Sequence, residues 1–187
     1  TLQSAGAVAV FVPDVAQMYP TGLEVNPPME PGAIGDVLEG QARPGHFRGM
    51  LTVVHRLLSI TQANYSFFGE KDFQQLTLVK AMVAHTKMPI EIVGVPTVRD
   101  EFGLALSSRN RRLSLQGLER ARLIPTAMKK ATEVFSSGGL VTEAEIAGRK
   151  ILETDSQIEI EYFEIRSNDL VSLPTIDNAR VFVAVNI

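Results

Sequence analysis

The segment FGEKDFQQ, residues 68–75, carries three adjacent charged side chains between an apolar stretch and a helical one. The NYSFF run before it is typical of a strand, and Asp72 is a good N-cap for the helix after it. In parallel sheets, ligands bind where strands end and helices begin. The helix N-terminus there favours anions, Lys71 suits a phosphate, and Asp72 could accept from a ribose hydroxyl or hold Mg²⁺. The alternative is that Asp72 only caps the helix and Lys71 is only solvated.

Two further segments share this preference for anions. SSRN, residues 107–110, lies on a glycine-led loop and offers two hydroxyls and a guanidinium, all donors to phosphate oxygens. Its alternative interpretation is a polar linker between domains. RPGHFRG, residues 43–49, places Arg43 and His46 around a Pro-Gly turn before a helix. For this segment a surface turn is favoured over a catalytic histidine.

The first half of the chain alternates strands and helices. The apolar faces of the two helices include Met50 and Val53 in the first, and Leu76 and Val79 in the second. The predicted order is a strand over 7–13 that is buried on both faces, a helix from about 50, a strand over 64–68, a helix from 73 and a strand over 90–95. This alternation predicts an α/β domain with a parallel sheet.

The second half is more polar and predicts an α+β domain. Ser114 opens a helical stretch that Pro125 should kink or interrupt, and TEAE (Thr142–Glu145) fits a capping box for the next helix. Two strands follow, and the alternation in the first shifts phase at Phe163, as a bulge would cause. We place the domain boundary near Val98, with residues 1–97 in the first domain and 98–187 in the second.

Composition excludes several classes of protein. The 187 residues are 45% hydrophobic and 21% charged, as in an ordinary soluble globular protein. A net charge of -3 does not favour a nucleic-acid partner, and no apolar run predicts a membrane span. The absence of cysteine excludes disulfides and thiolate zinc sites, and fits the cytoplasm. The residues alone therefore predict a phosphate- or nucleotide-binding α/β protein whose second domain closes over the site.

Four motifs together carry a more specific signal: RPGHFRGMLTVV, FGEKDFQQL, VPTVRDEFGLALSSRNRRLS and the YFEI strand. In this order the sequence resembles the pantothenate synthetase (pantoate–β-alanine ligase) family, from about Ala7 to the end of the chain. The combination of FGEKDxQQ with GLAxSSRN downstream is specific, since neither motif is a general nucleotide-binding pattern.

The resemblance implies a ligase that uses ATP and Mg²⁺ in two steps. Pantoate attacks ATP to give pantoyl adenylate and pyrophosphate, and β-alanine then displaces AMP to give pantothenate. The implied fold is the C-terminal part of a Rossmann-like nucleotidylyl-transferase domain, followed by a small α+β lid. The implied assembly is a cytoplasmic homodimer, with the Mg²⁺ held mainly by the phosphates of ATP.

The resemblance also assigns roles to residues. Those implied to bind ATP are Gly69, Glu70, Lys71, Asp72, Val98, Leu106, Ser107, Ser108 and Arg109. Within this set Lys71 would contact the phosphates, Asp72 the ribose and Val98 the adenine. The residues from Leu106 to Arg109 would grip the phosphates from the lid, and the groups implied in catalysis are Lys71, Ser107, Ser108 and Arg109.

The same motifs supply the implied pantoate site. Gln75 would hydrogen-bond pantoate, and Phe68 would wall its apolar side. Glu39, Arg43 and His46 match positions that line or support the site.

The sequence departs from the family pattern in several places. Phe102 stands where the family usually has aspartate, and Leu106 stands where methionine is usual. The N-terminal H-x-G-H motif of the family, the pantoate-binding glutamine that follows it and the usual C-terminal strand have no counterparts. We therefore expect the chain to be part of an enzyme and inactive alone.

Two rival functions stay open. Another nucleotidylyl transferase, acting on a phosphopantetheine or nicotinate substrate, would keep the phosphate-binding loops but should lack the glutamines of FGEKDxQQ. A non-catalytic nucleotide-binding remnant would keep the lid and lose the chemistry, as the missing H-x-G-H motif would allow.

If Lys71 stabilises the departing pyrophosphate, Lys71→Ala should abolish adenylation and leave the fold intact. Pantoate-dependent ATP–pyrophosphate exchange by the full natural polypeptide measures this step, and circular dichroism checks the fold. Normal formation of pantoyl adenylate by the variant would contradict the role of Lys71.

Overall fold

The structure is a computed structural model that describes residues 2–20, 22 and 26–187. The first half of the described chain contains four α-helices and two strands. These are α1 (Val15–Met18), α2 (Glu39–Ala42), α3 (His46–Thr61), β1 (Tyr65–Gly69), α4 (Phe73–Thr86) and β2 (Glu91–Val95). Short 3-10 turns precede α2 and α4, at Gly32–Asp36 and Glu70–Asp72.

Strands β1 and β2 pair in parallel, as the alternating pattern predicts. Tyr65 pairs with Glu91 and Gly69 with Val95, so the two strands end level with each other. Parallel neighbours need a crossover connection, and α4 supplies it. The loop between β1 and α4 therefore lies at the carboxyl end of the sheet.

The first hydrophobic core lies between α3 and α4. Its buried members are Phe47, Leu51, Leu58, Leu78, Val79, Met82 and Val83. The predicted face of α4 is largely right, whereas the face of α3 is displaced: Leu51 is fully buried and Val53 is exposed. Both faces of α3 satisfy a helical period, and the position of α4 selects the one centred on Leu51.

The predicted strand over residues 7–13 is wrong. Residues 7–12 are exposed and form no regular secondary structure, and Val8 is completely exposed. A run buried on both faces needs neighbouring strands and covering helices, and within the described part of the chain no strand pairs with it. The short helix α1 follows it, because Asp14 and Gln17 cap each other's backbone N–H groups.

The second half contains three helices and an antiparallel hairpin among its described residues. These are α5 (Leu115–Ala121), α6 (Leu123–Ser136), α7 (Val141–Leu152), β3 (Glu159–Ser167) and β4 (Ala179–Asn186). The break between α5 and α6 at Arg122 confirms the predicted effect of Pro125. Proline lacks an N–H for the carbonyl of Ala121, four residues earlier, so the helix cannot continue unbroken.

The hairpin has two different faces, because residues paired across strands share a face. The pairs Phe163–Val183 and Ile165–Val181 belong to the inner face. That face packs on α6 and α7, where the small residues Ala127, Ala131 and Ala144 are fully buried. The register shifts between Ile160 and Tyr162, which confirms the predicted bulge and leaves Glu161 as the extra residue.

Two predicted helix caps differ from those observed. Asp72 occupies the N-cap position of α4, but its side chain makes no capping hydrogen bond. Helix α7 begins at Val141, so its N-cap is Leu140 and not Thr142. Glu143 accepts from the N–H of Leu140 at 2.9 Å, and the reciprocal bond of a capping box is missing because leucine has no acceptor.

The turn after β3 is ordered by Asp169. Its carboxylate accepts hydrogen bonds from the hydroxyls of Ser167 and Ser172 at 2.5 Å, and from the N–H groups of Val171 and Ser172. These donors hold the pKa of Asp169 well below its usual range. The carboxylate therefore stays charged near neutral pH and fixes the start of the connection to β4.

None of the helices in the described ranges is both long enough and apolar enough to cross a bilayer.

Two helical glycines with different surroundings predict opposite effects on stability when they are replaced by alanine. A Cβ at Gly148 would overlap the ring of the buried Phe163 and lie 3.1 Å from the carbonyl oxygen of Ala127. Gly148→Ala should therefore lower the free energy of unfolding by about 1–3 kcal/mol. In α3, a Cβ at Gly49 would meet nothing within 4 Å, so Gly49→Ala should raise it by about 0.5–1 kcal/mol. Urea unfolding of both variants tests the packing, and equal effects would contradict it.

Candidate functional site

The FGEKD loop lies where β1 and β2 end. Gly69 is exposed, and a Cβ built on it would meet nothing within 4 Å, so a ligand could approach the backbone closely. Lys71 Nζ lies 3.3 Å from Asp72 Oδ1, and both side chains are substantially exposed. The charged groups predicted to meet an anion are thus at a strand end and open to solvent.

Glu70 points towards a different part of the molecule. Its Oε2 lies 3.5 Å from Nη1 of Arg180 on β4, and both side chains are about one-third exposed. The adjacent Phe73 ring lies 4.0 Å below the guanidinium of Arg180 and 6.0 Å from the ring of Phe182. The hairpin in the second half of the chain therefore contacts the FGEKD loop directly.

The two glutamines after the loop have different environments. Gln74 is buried, and its Nε2 donates to the carbonyl oxygens of Ile34 at 2.6 Å and Val37 at 2.8 Å. Gln75 is half-buried, and its side chain forms no hydrogen bond with the residues that the structure describes. Gln74 thus fixes the segment before α2, whereas the amide of Gln75 is available to a ligand.

Val98 and Leu106 lie opposite each other across a small antiparallel turn. The N–H of Leu106 donates to the carbonyl of Val98 at 2.9 Å, and both side chains are exposed. Asp100 holds the turn by accepting from the N–H groups of Phe102 and Leu104. The residues predicted to contact adenine and phosphate are therefore adjacent, although several positions separate them in sequence.

The SSRN segment leads out of this turn. Ser107 Oγ accepts from the N–H of Arg109 at 3.2 Å, and Asn110 Nδ2 donates to the carbonyl of Ala105 at 3.0 Å. These bonds fix the backbone and leave the hydroxyl proton of Ser107 free to donate. The side chains of Ser108 and Arg109 are exposed and make no polar contact among the described residues. Three side chains are therefore available to donate hydrogen bonds to phosphate oxygens.

Phe102, at the position where the resemblance predicts aspartate, has a defined partner. The guanidinium of Arg122 lies 3.5 Å from the centre of its ring. A cation–π contact of this kind links the turn to the break between α5 and α6. Phe102 therefore attracts Arg122 without a carboxylate.

The RPGHFRG segment joins α2 to α3. Arg43 Nη1 donates to Glu39 Oε1 at 2.7 Å, and this bond raises the pKa of Arg43. Gly45 adopts a left-handed conformation, with φ 82°, immediately before the half-buried His46 at the start of α3. The ring of His46 packs on Phe47, with the two ring centres 5.1 Å apart. The segment is thus a turn held by an ion pair, next to the chain segment that Gln74 fixes.

Three residues of the hairpin near these groups were not predicted as site residues: Tyr162, Arg180 and Phe182. Tyr162 lies near Glu39 of α2. Burial, followed by the negative charge of Glu39, raises the pKa of Tyr162, so its phenol stays protonated. The alternation of ARVFVAVN gives the available signal, because it places Arg180 and Phe182 opposite the core valines.

The structure brings the predicted residues together in two groups. The first group contains the FGEKD loop, Phe68 and the segment from Glu39 to His46. Phe68 packs partly on the first core, and Gln74 bonds to the chain just before this segment. Val98, Leu106 and SSRN form the second group. In the described part of the chain, no hydrogen bond or ion pair links the FGEKD loop to SSRN.

No cluster of three or more histidine or carboxylate side chains that could hold a metal occurs within residues 2–20, 22 and 26–187. The loop carries two carboxylates: Glu70 pairs with Arg180, and the more exposed Asp72 faces Lys71. Such a set fits a Mg²⁺ ion that takes most of its ligands from phosphate oxygens.

Comparison with known proteins decides the family. The sequence model described as Pantoate-beta-alanine ligase matches residues 1–187. The chain belongs to the pantoate–β-alanine ligase family.

Relatives in this family match nearly all of the chain. The pantothenate synthetase of Nocardia farcinica is 43% identical over 187 residues, which are 100% of this chain and 57% of that protein. That of Ruegeria pomeroyi is 42% identical over 183 residues, covering 96% of this chain and 63% of its own length. The chain thus spans somewhat over half the length of these relatives.

Solved structures agree with the family assignment. Pantothenate synthetase from Thermus thermophilus superposes with a TM-score of 0.85 at 40% identity, covering 99% of this chain and 67% of that one. The pantoate-β-alanine ligase of Francisella tularensis, complexed with β,γ-ATP and β-alanine, gives a TM-score of 0.73 at 33% identity. It covers 98% of this chain and 62% of its own. The mixed α/β fold with a parallel sheet is therefore shared with the family.

The different environments of the two glutamines predict different effects on stability. Gln74→Met removes a buried donor from two carbonyl oxygens and should lower the free energy of unfolding by about 1–3 kcal/mol. Gln75→Met, its matched control one position along, should change it by less than about 0.5 kcal/mol. Urea unfolding compares the two, and a larger loss for Gln75→Met would contradict the assignment.

Proposed function

We propose that the protein carrying these residues ligates pantoate and β-alanine at the cost of ATP, through pantoyl adenylate. The observation that carries the proposal is the open strand-end loop at Gly69–Asp72, with an exposed lysine beside a backbone that a ligand can approach. Membership of the pantoate–β-alanine ligase family gives this loop its substrates. The relative complexed with β,γ-ATP and β-alanine supports ATP and β-alanine among them.

In the first step, a carboxylate oxygen of pantoate bonds to the α-phosphorus of ATP. The bond from that phosphorus to the bridging oxygen breaks, and pyrophosphate leaves with the bonding electrons. Two anions must approach each other and further charge develops on the leaving group, so cationic donors lower the barrier. Lys71 and Arg109 are exposed cations suited to this role, and Ser107 and Ser108 add neutral donors.

In the second step, the neutral amine of β-alanine attacks the acyl carbon of the adenylate. The bond from that carbon to the phosphate oxygen breaks, AMP leaves, and the amine gives up a proton as the amide forms. Much of the rate enhancement in such a reaction comes from holding both reactants in position. A closed site also keeps water from hydrolysing the adenylate.

Different residues would bind ATP and pantoate. Asp72 would accept from the ribose, Val98 would contact adenine, and Leu106 would direct the phosphates through its backbone. The free amide of Gln75 would bond pantoate beside the apolar wall of Phe68. The ion pair of Glu39 with Arg43, and His46 at the start of α3, would support this wall.

Mg²⁺ would arrive with ATP. It neutralises phosphate charge when bound, and Asp72 is the carboxylate nearest to Lys71 that could contribute one ligand. The open space at Gly69 would admit the phosphates that carry the ion.

We further propose that residues 1–97 are the C-terminal part of a Rossmann-like nucleotidylyl-transferase domain and that residues 98–187 are a lid. The separate hydrophobic cores of the two halves support this division. In the lid, SSRN would reach the phosphates from the side opposite to Lys71. A cytoplasmic homodimer is the assembly that we propose on the ground of family membership.

Pantoate-dependent exchange of labelled pyrophosphate into ATP tests the function, using the full natural polypeptide that includes these 187 residues. Exchange without β-alanine is expected, because adenylation alone makes and consumes pyrophosphate. Omitting pantoate gives the control. Binding of ATP without any exchange would contradict the ligase and favour a non-catalytic nucleotide-binding protein.

A further inference from the structure

The outer face of the β3–β4 hairpin covers the start of α4. Tyr162 pairs with Ala184, Glu164 with Phe182 and Arg166 with Arg180, so these side chains share the face opposite the second core. Phe182 and Arg180 reach Phe73, the first residue of α4. This face is therefore the link between the hairpin and the FGEKD loop.

Arg180 makes three contacts from this face. Its Nη1 lies 3.5 Å from Glu70 Oε2, its guanidinium carbon lies 4.0 Å from the centre of the Phe73 ring, and its Nε donates to Asn168 Oδ1 at 3.4 Å. The planar guanidinium is suited to stacking and ion pairing at the same time. Arg180 thus connects the loop before α4 to the turn after β3.

Glu70 needs such a partner if the loop binds a nucleotide. It is a carboxylate directly beside Lys71, in a loop that would face a polyanionic triphosphate. An unpaired Glu70 would repel the phosphates and compete with them for the ammonium of Lys71. Pairing with Arg180 neutralises Glu70 and directs it towards the hairpin, while Lys71 stays on the side of Asp72.

We propose that Arg180 is a positioning residue for ATP: it holds Glu70 and Phe73 so that the FGEKD loop presents Lys71 to the phosphates. This role rests on the proposed function, because it assumes that the loop binds ATP. In this arrangement Arg180 acts on the phosphates through Glu70 and Phe73.

Arg166 offers a matched control on the same face. It is the cross-strand partner of Arg180, but its contacts are within its own hairpin, with Glu164 at 2.6 Å and the carbonyl of Leu170 at 3.4 Å. Arg166→Met and Arg180→Met remove the same chemical group from neighbouring positions. Only Arg180→Met should weaken the binding of ATP.

The experiment measures binding of a non-hydrolysable ATP analogue by calorimetry, in the full natural polypeptide that includes these residues. Arg180→Met should weaken binding about tenfold, because it removes a partly exposed ion pair and a cation–π contact. Arg166→Met should change the affinity less than about twofold. In steady-state turnover, Arg180→Met should raise the KM for ATP by a similar factor and leave the KM for β-alanine unchanged.

A double-mutant cycle tests whether the effect passes through Glu70. In the Glu70→Gln background there is no carboxylate to neutralise, so Arg180→Met should weaken binding by less than about threefold. An equal loss in both backgrounds would overturn the proposed route, because Arg180 would then act independently of Glu70.

The remaining outcomes separate this inference from the proposed function. Unchanged affinity in Arg180→Met, with tight binding by the unsubstituted protein, overturns the positioning role alone. No binding of the analogue by the unsubstituted protein overturns both. If Arg180→Met does not fold, Arg180→Lys takes its place in the same cycle: a loss of affinity that shrinks in the Glu70→Gln background supports the route through Glu70, and an equal loss in both backgrounds overturns it.

Discussion

The parallel pairing of β1 with β2 is the constraint on which the candidate site depends. Two parallel neighbours cannot be joined by a tight turn, so the chain must cross the sheet through α4. The start of α4 is thereby fixed at the carboxyl end of both strands, with Gly69 level with Val95. Charged residues placed between a strand and its crossover helix are thus brought to the sheet edge where ligands of such folds bind.

The hairpin of the second half extends this constraint to the rest of the molecule. Its period-two alternation buries Phe163 and Val183 against α6 and α7, and directs Arg180 and Phe182 towards α4. One pair of strands therefore belongs to the second core and contacts the loop beside the first. A movement of the hairpin would change the surroundings of Glu70, which gives the second half a physical means to affect the site.

Most elements could be predicted from local pattern, because caps, prolines and apolar periods act within a few residues. The break before Pro125 and the bulge near Phe163 illustrate this. One failure involves distant partners. Residues 7–13 have the composition of a buried strand, but a strand exists only through hydrogen bonds to a neighbour. The cap of α7 is a local failure: the helix begins at Val141, ahead of the predicted capping box at Thr142.

The sequence by itself determined the family, the strand–helix alternation and the motifs that could bind a nucleotide, because these depend on residue identity and short spacing. Only the tertiary structure decided which glutamine is structural: Gln74 reaches carbonyl groups of a distant segment, and Gln75 does not. It alone revealed that Arg180 contacts Glu70 and Phe73. Contacts between residues far apart in the chain depend on how packed elements are oriented, and no local period specifies that orientation.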